Sequence, residues 1–141
     1  MSIWNQKGAG MNEIEKLKER GKNEQIASFL DMKLIELSAG YARVSMKMKP
    51  DYLNFNGMIF GGIISAVADQ AFAYATNSVI TPNVASQFNI HYMAAAGEKD
   101  ELFAECHVLK KGKRVCISEI KVTNQEGKLI AVATGTTIPL V

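Results

Sequence analysis

A helix-forming run opens at a glycine pair, Gly61-Gly62, and continues through Ile63-Ile-Ser-Ala-Val-Ala-Asp-Gln-Ala-Phe-Ala-Tyr-Ala-Thr-Asn-Ser78 with few polar residues. A helix that is apolar nearly all round has to be buried on most sides, so the rest of the chain must supply a surface that wraps it. One carboxylate, Asp69, stands in its middle, with no basic residue between Asn54 and Ser78. An ionised side chain on such a helix is costly unless something requires it. Asp69 is therefore either part of a chemical site, where perturbed carboxylates concentrate, or a structural group satisfied by Ser65 or a neighbouring strand.

The flanking sequence reads as strands. Ala42, Val44, Met46 and Met48 alternate with Tyr41, Arg43, Ser45, Lys47 and Lys49, a half-buried strand. After Thr81-Pro82-Asn83 the two-residue period returns, giving candidate strands at 84–93, 101–111, 113–124 and 128–138. Lys111-Gly112 and Asn124-Gln125-Glu126-Gly127 supply tight turns between antiparallel neighbours. Residues 12–30 carry Ile14, Leu17, Ile26, Phe29 and Leu30 among many charges, an amphipathic helix broken near Gly21. The expected organisation is a loose tail over 1–10, a helical segment over 11–30 and one α+β domain over 31–141. In that domain a curved antiparallel sheet wraps a single central helix at 61–79, and alanines 66, 68, 71, 73 and 75 let the sheet approach closely.

Composition narrows the function. A chain of 141 residues can bury a respectable core as one domain. With 16 Lys+Arg against 14 Asp+Glu there is no strong field for nucleic acid. The N-terminal residues carry no apolar leader with a cleavage site. The 61–80 stretch is about as long as a membrane span, but Ser65, Asp69, Gln70, Thr76 and Asn77 interrupt it, so a core helix is expected and no membrane partner. Cys106 and Cys116 have no metal or redox spacing, and His91 and His107 have no partner at metal spacing. Two free thiols in a reducing cytoplasm, with no metal or cofactor, is the reading these residues support.

Asn54, the triplet Phe60-Gly-Gly62 six residues later, and Asp69 seven residues after Gly62 resemble the hotdog-fold acyl-CoA thioesterases. The phenylacetate-pathway type is the group whose helix reads most like Ala68-Asp-Gln-Ala-Phe-Ala-Tyr-Ala-Thr-Asn-Ser78. The likeness covers about residues 30–140. It implies a hotdog fold and hydrolysis of an acyl-CoA to free acid and coenzyme A. It implies Asp69 as nucleophile or general base. The N–H of Gly61, at the positive end of the helix, would serve the developing oxyanion, with the Asn54 amide on the carbonyl or the water. Gly62, Phe60, Met58, Ala85 and Ser86 are implied near the substrate, and Phe55 and Phe72 are expected to line the acyl pocket with Met58 and Phe60. Departures are visible too. Phe60 stands where most members carry histidine, Ala85 stands where many carry Ser or Thr, and the usual proline is missing from Tyr92-Met-Ala-Ala-Ala-Gly97.

Helix geometry adds a constraint. Gly61 and Asp69 are eight residues apart, about 12 Å along a helix, whereas a reacting carbon must lie within about 3 Å of both groups. Two chains with antiparallel central helices meet that demand, so a homodimer with sites at its interface is expected, and the resemblance extends this to a homotetramer. Lys110, Lys111, Lys113 and Arg114 surround a turn. They are either a solvated turn that keeps strands soluble or, as the resemblance implies for Lys110, Lys113 and Arg114, a cradle for coenzyme A phosphates. Asn54 and Asn56 also suit turns, and Gly61-Gly62 also suits a bare helix start. The rival function is a non-catalytic acyl-CoA or fatty-acyl binding protein on the same fold, with Phe60 closing the site.

Overall fold

The computed structural model describes residues 9–140. The tail expected over 1–10 lies outside the described residues as far as residue 8, and residues 9 and 10 open the first helix. Two helices, α1 (Ala9–Lys22) and α2 (Gln25–Phe29), precede strands β1 (Lys33–Ser38) and β2 (Tyr41–Lys47). A short 3-10 turn at Pro50–Tyr52 leads to the long helix α3 (Gly61–Asn77). Strands β3 (Asn83–Tyr92), β4 (Glu101–Lys111), β5 (Cys116–Thr123) and β6 (Leu129–Pro139) complete the chain.

All six strands form one sheet in the order β1-β2-β4-β5-β6-β3, every pair antiparallel. Ala42, Val44 and Met46 of β2, Leu102, Ala104 and Cys106 of β4, and Ile120 and Val122 of β5 are buried on one face. Against that face lie Ile64, Val67, Ala68, Ala71, Phe72 and Ala75 of α3. This is the hotdog arrangement, a curved sheet around one central helix.

Strand β1 is absent from the sequence reading. Its apolar residues, Leu34, Ile35 and Leu37, do not alternate, because a bulge between Leu34 and Glu36 shifts the register. Ile35 turns to solvent while Leu37 is buried, and a period-two scan passes over such a segment. The strand expected from residue 113 begins at Cys116 because residues 112–115 close the β4–β5 turn, where the Gly112 N–H donates to the Val115 carbonyl at 2.8 Å. The N-terminal helix breaks at Asn23–Glu24 rather than at Gly21, which lies inside α1.

Two of the alanines are not fully covered by the sheet. Ala68, Ala71 and Ala75 are fully buried, but Ala73 is exposed and Ala66 only half-buried. With Gly62, Ser65 and Asp69 they form a stripe of small residues along the side of α3 that the sheet leaves open. At its far end α3 is tied to β3 by Asn83, whose Nδ2 donates to the Thr76 carbonyl at 2.9 Å and to that of Ile80 just beyond the helix. Among the described residues no helix is long and apolar enough to cross a membrane.

Candidate active site

The loop ahead of α3 is built around Asn54. Its Oδ1 accepts the N–H groups of Asn56 at 2.9 Å and Met58 at 3.2 Å. Its backbone N–H donates to the Met58 carbonyl at 2.7 Å. Gly57 takes the left-handed conformation the turn needs, with φ of 75°. The Ile59 N–H donates to the Ala96 carbonyl and the Phe60 N–H to the Tyr52 carbonyl, at 3.0 and 2.8 Å, anchoring the loop to the body of the protein. Asn54 thus does act as a turn residue, with its carbonyl oxygen committed to the loop. Its side-chain NH2 has no acceptor among the described residues.

At the helix start the Phe60 carbonyl accepts the N–H groups of Ile63 at 2.9 Å and Ile64 at 3.4 Å. The helix makes no claim on those of Gly61 and Gly62. Both glycines lie under rings. The Phe60 ring stands 2.6 Å from where a Cβ on Gly62 would be, and the Tyr92 ring 3.2 Å from where one on Gly61 would be. The Tyr92 hydroxyl donates to the Gly61 carbonyl at 3.0 Å, which pins the last residue of β3 over the helix start. Sequence reasoning missed Tyr92, since nothing local distinguishes it from other strand aromatics.

Asp69 lies two turns further along. With Gly62, Ser65 and Ala66 on α3, and Ala85 and Phe88 on β3, it lines an open groove of about 400 Å³. The Ser65 hydroxyl donates to the Gly62 carbonyl at 3.1 Å. Asp69 has no hydrogen-bond or ion-pair partner among the described residues, so the structural role through Ser65 is not seen. Asp69 is open to solvent in the single chain rather than enclosed. Partial desolvation by its surroundings still raises its pKa from the ordinary aspartate value, and the charge of Glu24 adds to the rise.

Other candidates separate. Ala85 joins Asp69 in the groove. Ser86 sits in a register shift of β3 and donates to the Thr136 carbonyl at 3.4 Å, without lining the groove. Phe72 is 1 % exposed and packed in the core against Phe88, so it does not line an open acyl pocket in the single chain. Phe55 and Phe60, by contrast, are 99 % and 57 % exposed, and Met58 is exposed beside them. Lys110, Lys113 and Arg114 are all exposed at the β4–β5 turn. Cys116 pairs with Thr137, which pairs with Ala85, so this turn lies at the end of the sheet where β3 begins. Tyr92 and Gly61 are at the other end, about 23 Å along β3. Among the described residues no three His, Cys, Asp or Glu side chains converge as metal ligands.

Within a single chain Gly62 of the helix start reaches the Asp69 groove, while Gly61 and the basic turn stand apart from Asp69. Comparison with known proteins agrees with this fold. The chain belongs to the thioesterase superfamily, whose pattern matches residues 56–131, and within it to the PaaI-like hotdog group of thioester hydrolases. Acyl-coenzyme A thioesterase PaaI of Escherichia coli K12 is 32% identical over 114 residues, 81% of each chain. The solved structure of the E. coli PaaI protein superposes with a TM-score of 0.85 at 29% identity over 94% of each chain. An Archaeoglobus fulgidus protein is 38% identical over 124 residues, covering 87% of this chain and 80% of the relative. A hypothetical thioesterase protein from Streptococcus pneumoniae TIGR4, solved with coenzyme A, has a TM-score of 0.73 at 26% identity, over 76% of this chain and 86% of that one.

Proposed function

We propose that the chain hydrolyses an acyl-CoA thioester to a free acid and coenzyme A, with Asp69 as the catalytic carboxylate at an interface between two copies. The observation that carries this reading is the placement of Asp69. It is the lone charge on the open stripe of α3, unpaired among the described residues, with its pKa raised by partial desolvation. Coenzyme A as the leaving group rests on the relatives named for it or solved with it.

In this reading Asp69 either attacks the thioester carbon or takes a proton from a water that attacks it. The carbonyl electrons move onto oxygen, which meets the unclaimed N–H of Gly61 or Gly62. Collapse breaks the C–S bond and the sulfur leaves as a thiolate that takes up a proton to give coenzyme A. Where Asp69 itself attacked, water then cleaves the acyl–Asp69 anhydride, releasing the free acid and restoring the carboxylate. The Asn54 NH2 steadies the carbonyl or the water. Lys110, Lys113 and Arg114 hold phosphate charges by long-range attraction.

Two copies are required because Gly61 and Asp69 stand about 12 Å apart on one rigid helix. Strand β3 ends the sheet, with an unpaired edge and exposed Val84, Ala85, Ser86 and Gln87. A second copy related by a two-fold axis would cover that edge and bring its helix start to Asp69, with pairing of dimers into a tetramer as a further step. Residues 31–141 would form the catalytic unit, 11–30 its helical appendage, and the two unpaired cysteines suit a reducing cytoplasm.

The test is trans complementation. Asp69→Ala and Asn54→Ala chains, each inactive alone toward acyl-CoA thioesters, are unfolded together and refolded. Mixed dimers carry one intact site of two, so about a quarter of the wild-type thiol release should return. No recovery would place Asp69 and Asn54 in one chain's site, and acyl-CoA binding without turnover by the wild type would favour the binding module with Phe60 over the site.

A further inference from the structure

Behind the Asp69 stripe, the flank of α3 is covered by the N-terminal segment. Glu24 is the residue before α2, yet its side chain makes no cap bond to that helix. It reaches across instead, accepting the Nε2 of Gln70 at 2.5 Å. Gln70 is 8 % exposed, so its amide needs a partner on folding, and it is the residue next to Asp69. Cavities of about 500 and 260 Å³ lie on either side of this bond, and Gly21, Glu24, Gln70 and Tyr74 line both. We propose that Glu24 is a positioning residue for the Asp69 site, tying the α1–α2 segment to the catalytic helix through Gln70 and setting a second carboxylate behind the first. This rests on the reading of Asp69 as the catalytic group.

The charge balance around the pair supports it. On α1, Lys18 and Lys22 are 3.6 and 2.8 Å from Glu15 and Glu19. Arg20 donates to the Thr81 hydroxyl at 3.3 Å. Glu36 of β1 adds another negative charge to the larger cavity, and β3 offers only Ala85 and Phe88 to the groove. No cation among the described residues forms an ion pair with Glu24, although Lys18, Lys22 and Arg20 line the same cavities. The Glu24 charge favours the protonated acid at Asp69, adding to the larger effect of desolvation. The N-terminal segment thereby shifts the fraction of Asp69 available as a base at a given pH, although it contributes no group to the chemistry.

The experiment follows the Asp69 carboxyl directly by 13C NMR against pH, in the full chain, with wild type and Glu24→Gln compared. Glutamine keeps an acceptor for Gln70 and removes only the charge. The Asp69 midpoint should fall in Glu24→Gln, and the acid limb of kcat/KM for thioester hydrolysis should move to lower pH with it. Raising the salt should lower the wild-type midpoint by screening and should leave the variant's nearly still, a measurement that needs no second fold. Identical midpoints in both proteins, or a wild-type midpoint indifferent to salt, would overturn the proposal. A wild type that releases no thiol would instead overturn the thioesterase reading and leave this titration readable.

Discussion

The hydroxyl of Tyr74 fills the space that a Cβ on Gly21 would occupy. Gly21 lies within α1, where glycine costs up to about 1 kcal/mol relative to alanine, and its reason for being there is this contact. The absence of a side chain lets α1 press onto α3. Gly21→Ala should therefore destabilise the protein by about 1–3 kcal/mol despite its better helix propensity. Denaturant unfolding of Gly21→Ala, Tyr74→Leu and the double variant should show the two effects to be strongly non-additive. Additive losses would mean the contact is not what holds Gly21.

Gly135 plays the corresponding role in β6. Atoms of the Phe72 ring stand 2.8 and 2.9 Å from where its Cβ would be, so the largest fully buried side chain of α3 rests on bare backbone. Gly135→Ala should lower the unfolding midpoint through a loss of about 1–3 kcal/mol, and Phe72→Leu should recover part of it by shrinking the ring's volume. A neutral Gly135→Ala in thermal melts would refute the fit.

Asp69→Asn should separate activity from stability. Thiol release should fall by about 1,000-fold or more if the carboxylate is the base or nucleophile. Because the folded-state pKa of Asp69 is raised, the protonated form is the one the fold favours. That preference contributes stability below the unfolded value of about 3.9 and is lost as pH rises through the folded pKa. The variant should thus melt higher than wild type at neutral pH, and the difference should vanish at low pH. A variant less stable than wild type at pH 7 would contradict the sign of the shift.

In the proposed mechanism Asn54 has two separable duties. Asn54→Asp retains an oxygen for the N–H groups of Asn56 and Met58 but removes the NH2. It should keep the loop and the melting point while costing about 100-fold in turnover if the amide meets the substrate. Asn54→Ala should lose both. Equal activity of Asn54→Asp and wild type would confine the residue to the turn.

Burial pushes the Cys106 thiol up to about 12, and Cys116 is buried as well. Neither should react with a disulfide reagent such as 5,5′-dithiobis(2-nitrobenzoate) in the native state near pH 8, and both should react after unfolding. Rapid labelling of the native protein would show that the core opens readily.

The candidate site was legible wherever its signal was local. The spacing of Asn54, Gly61 and Asp69 lies within a single loop and helix, so short-range rules reach it. Tyr92 over Gly61, Glu24 behind Asp69, and the exposure of Asp69 itself depend on segments 31 to 45 residues away in the chain or on the course of the sheet. An apolar helix carrying one carboxylate suggested enclosure, but the sheet wraps only part of α3, and the stripe containing Ala66, Asp69 and Ala73 remains open.

From its residue pattern alone, this chain specified one α+β domain, a central helix starting at Gly61, and five of its six strands. Those features follow from periodicity and from the backbone demands of glycine, which act between near neighbours. Tertiary structure decided the bulged strand β1, the division of the helix into core and open faces, and the close contacts that Gly21 and Gly135 exist to permit. Such contacts depend on which distant atoms share a volume, and close packing settles that only when every element is in place.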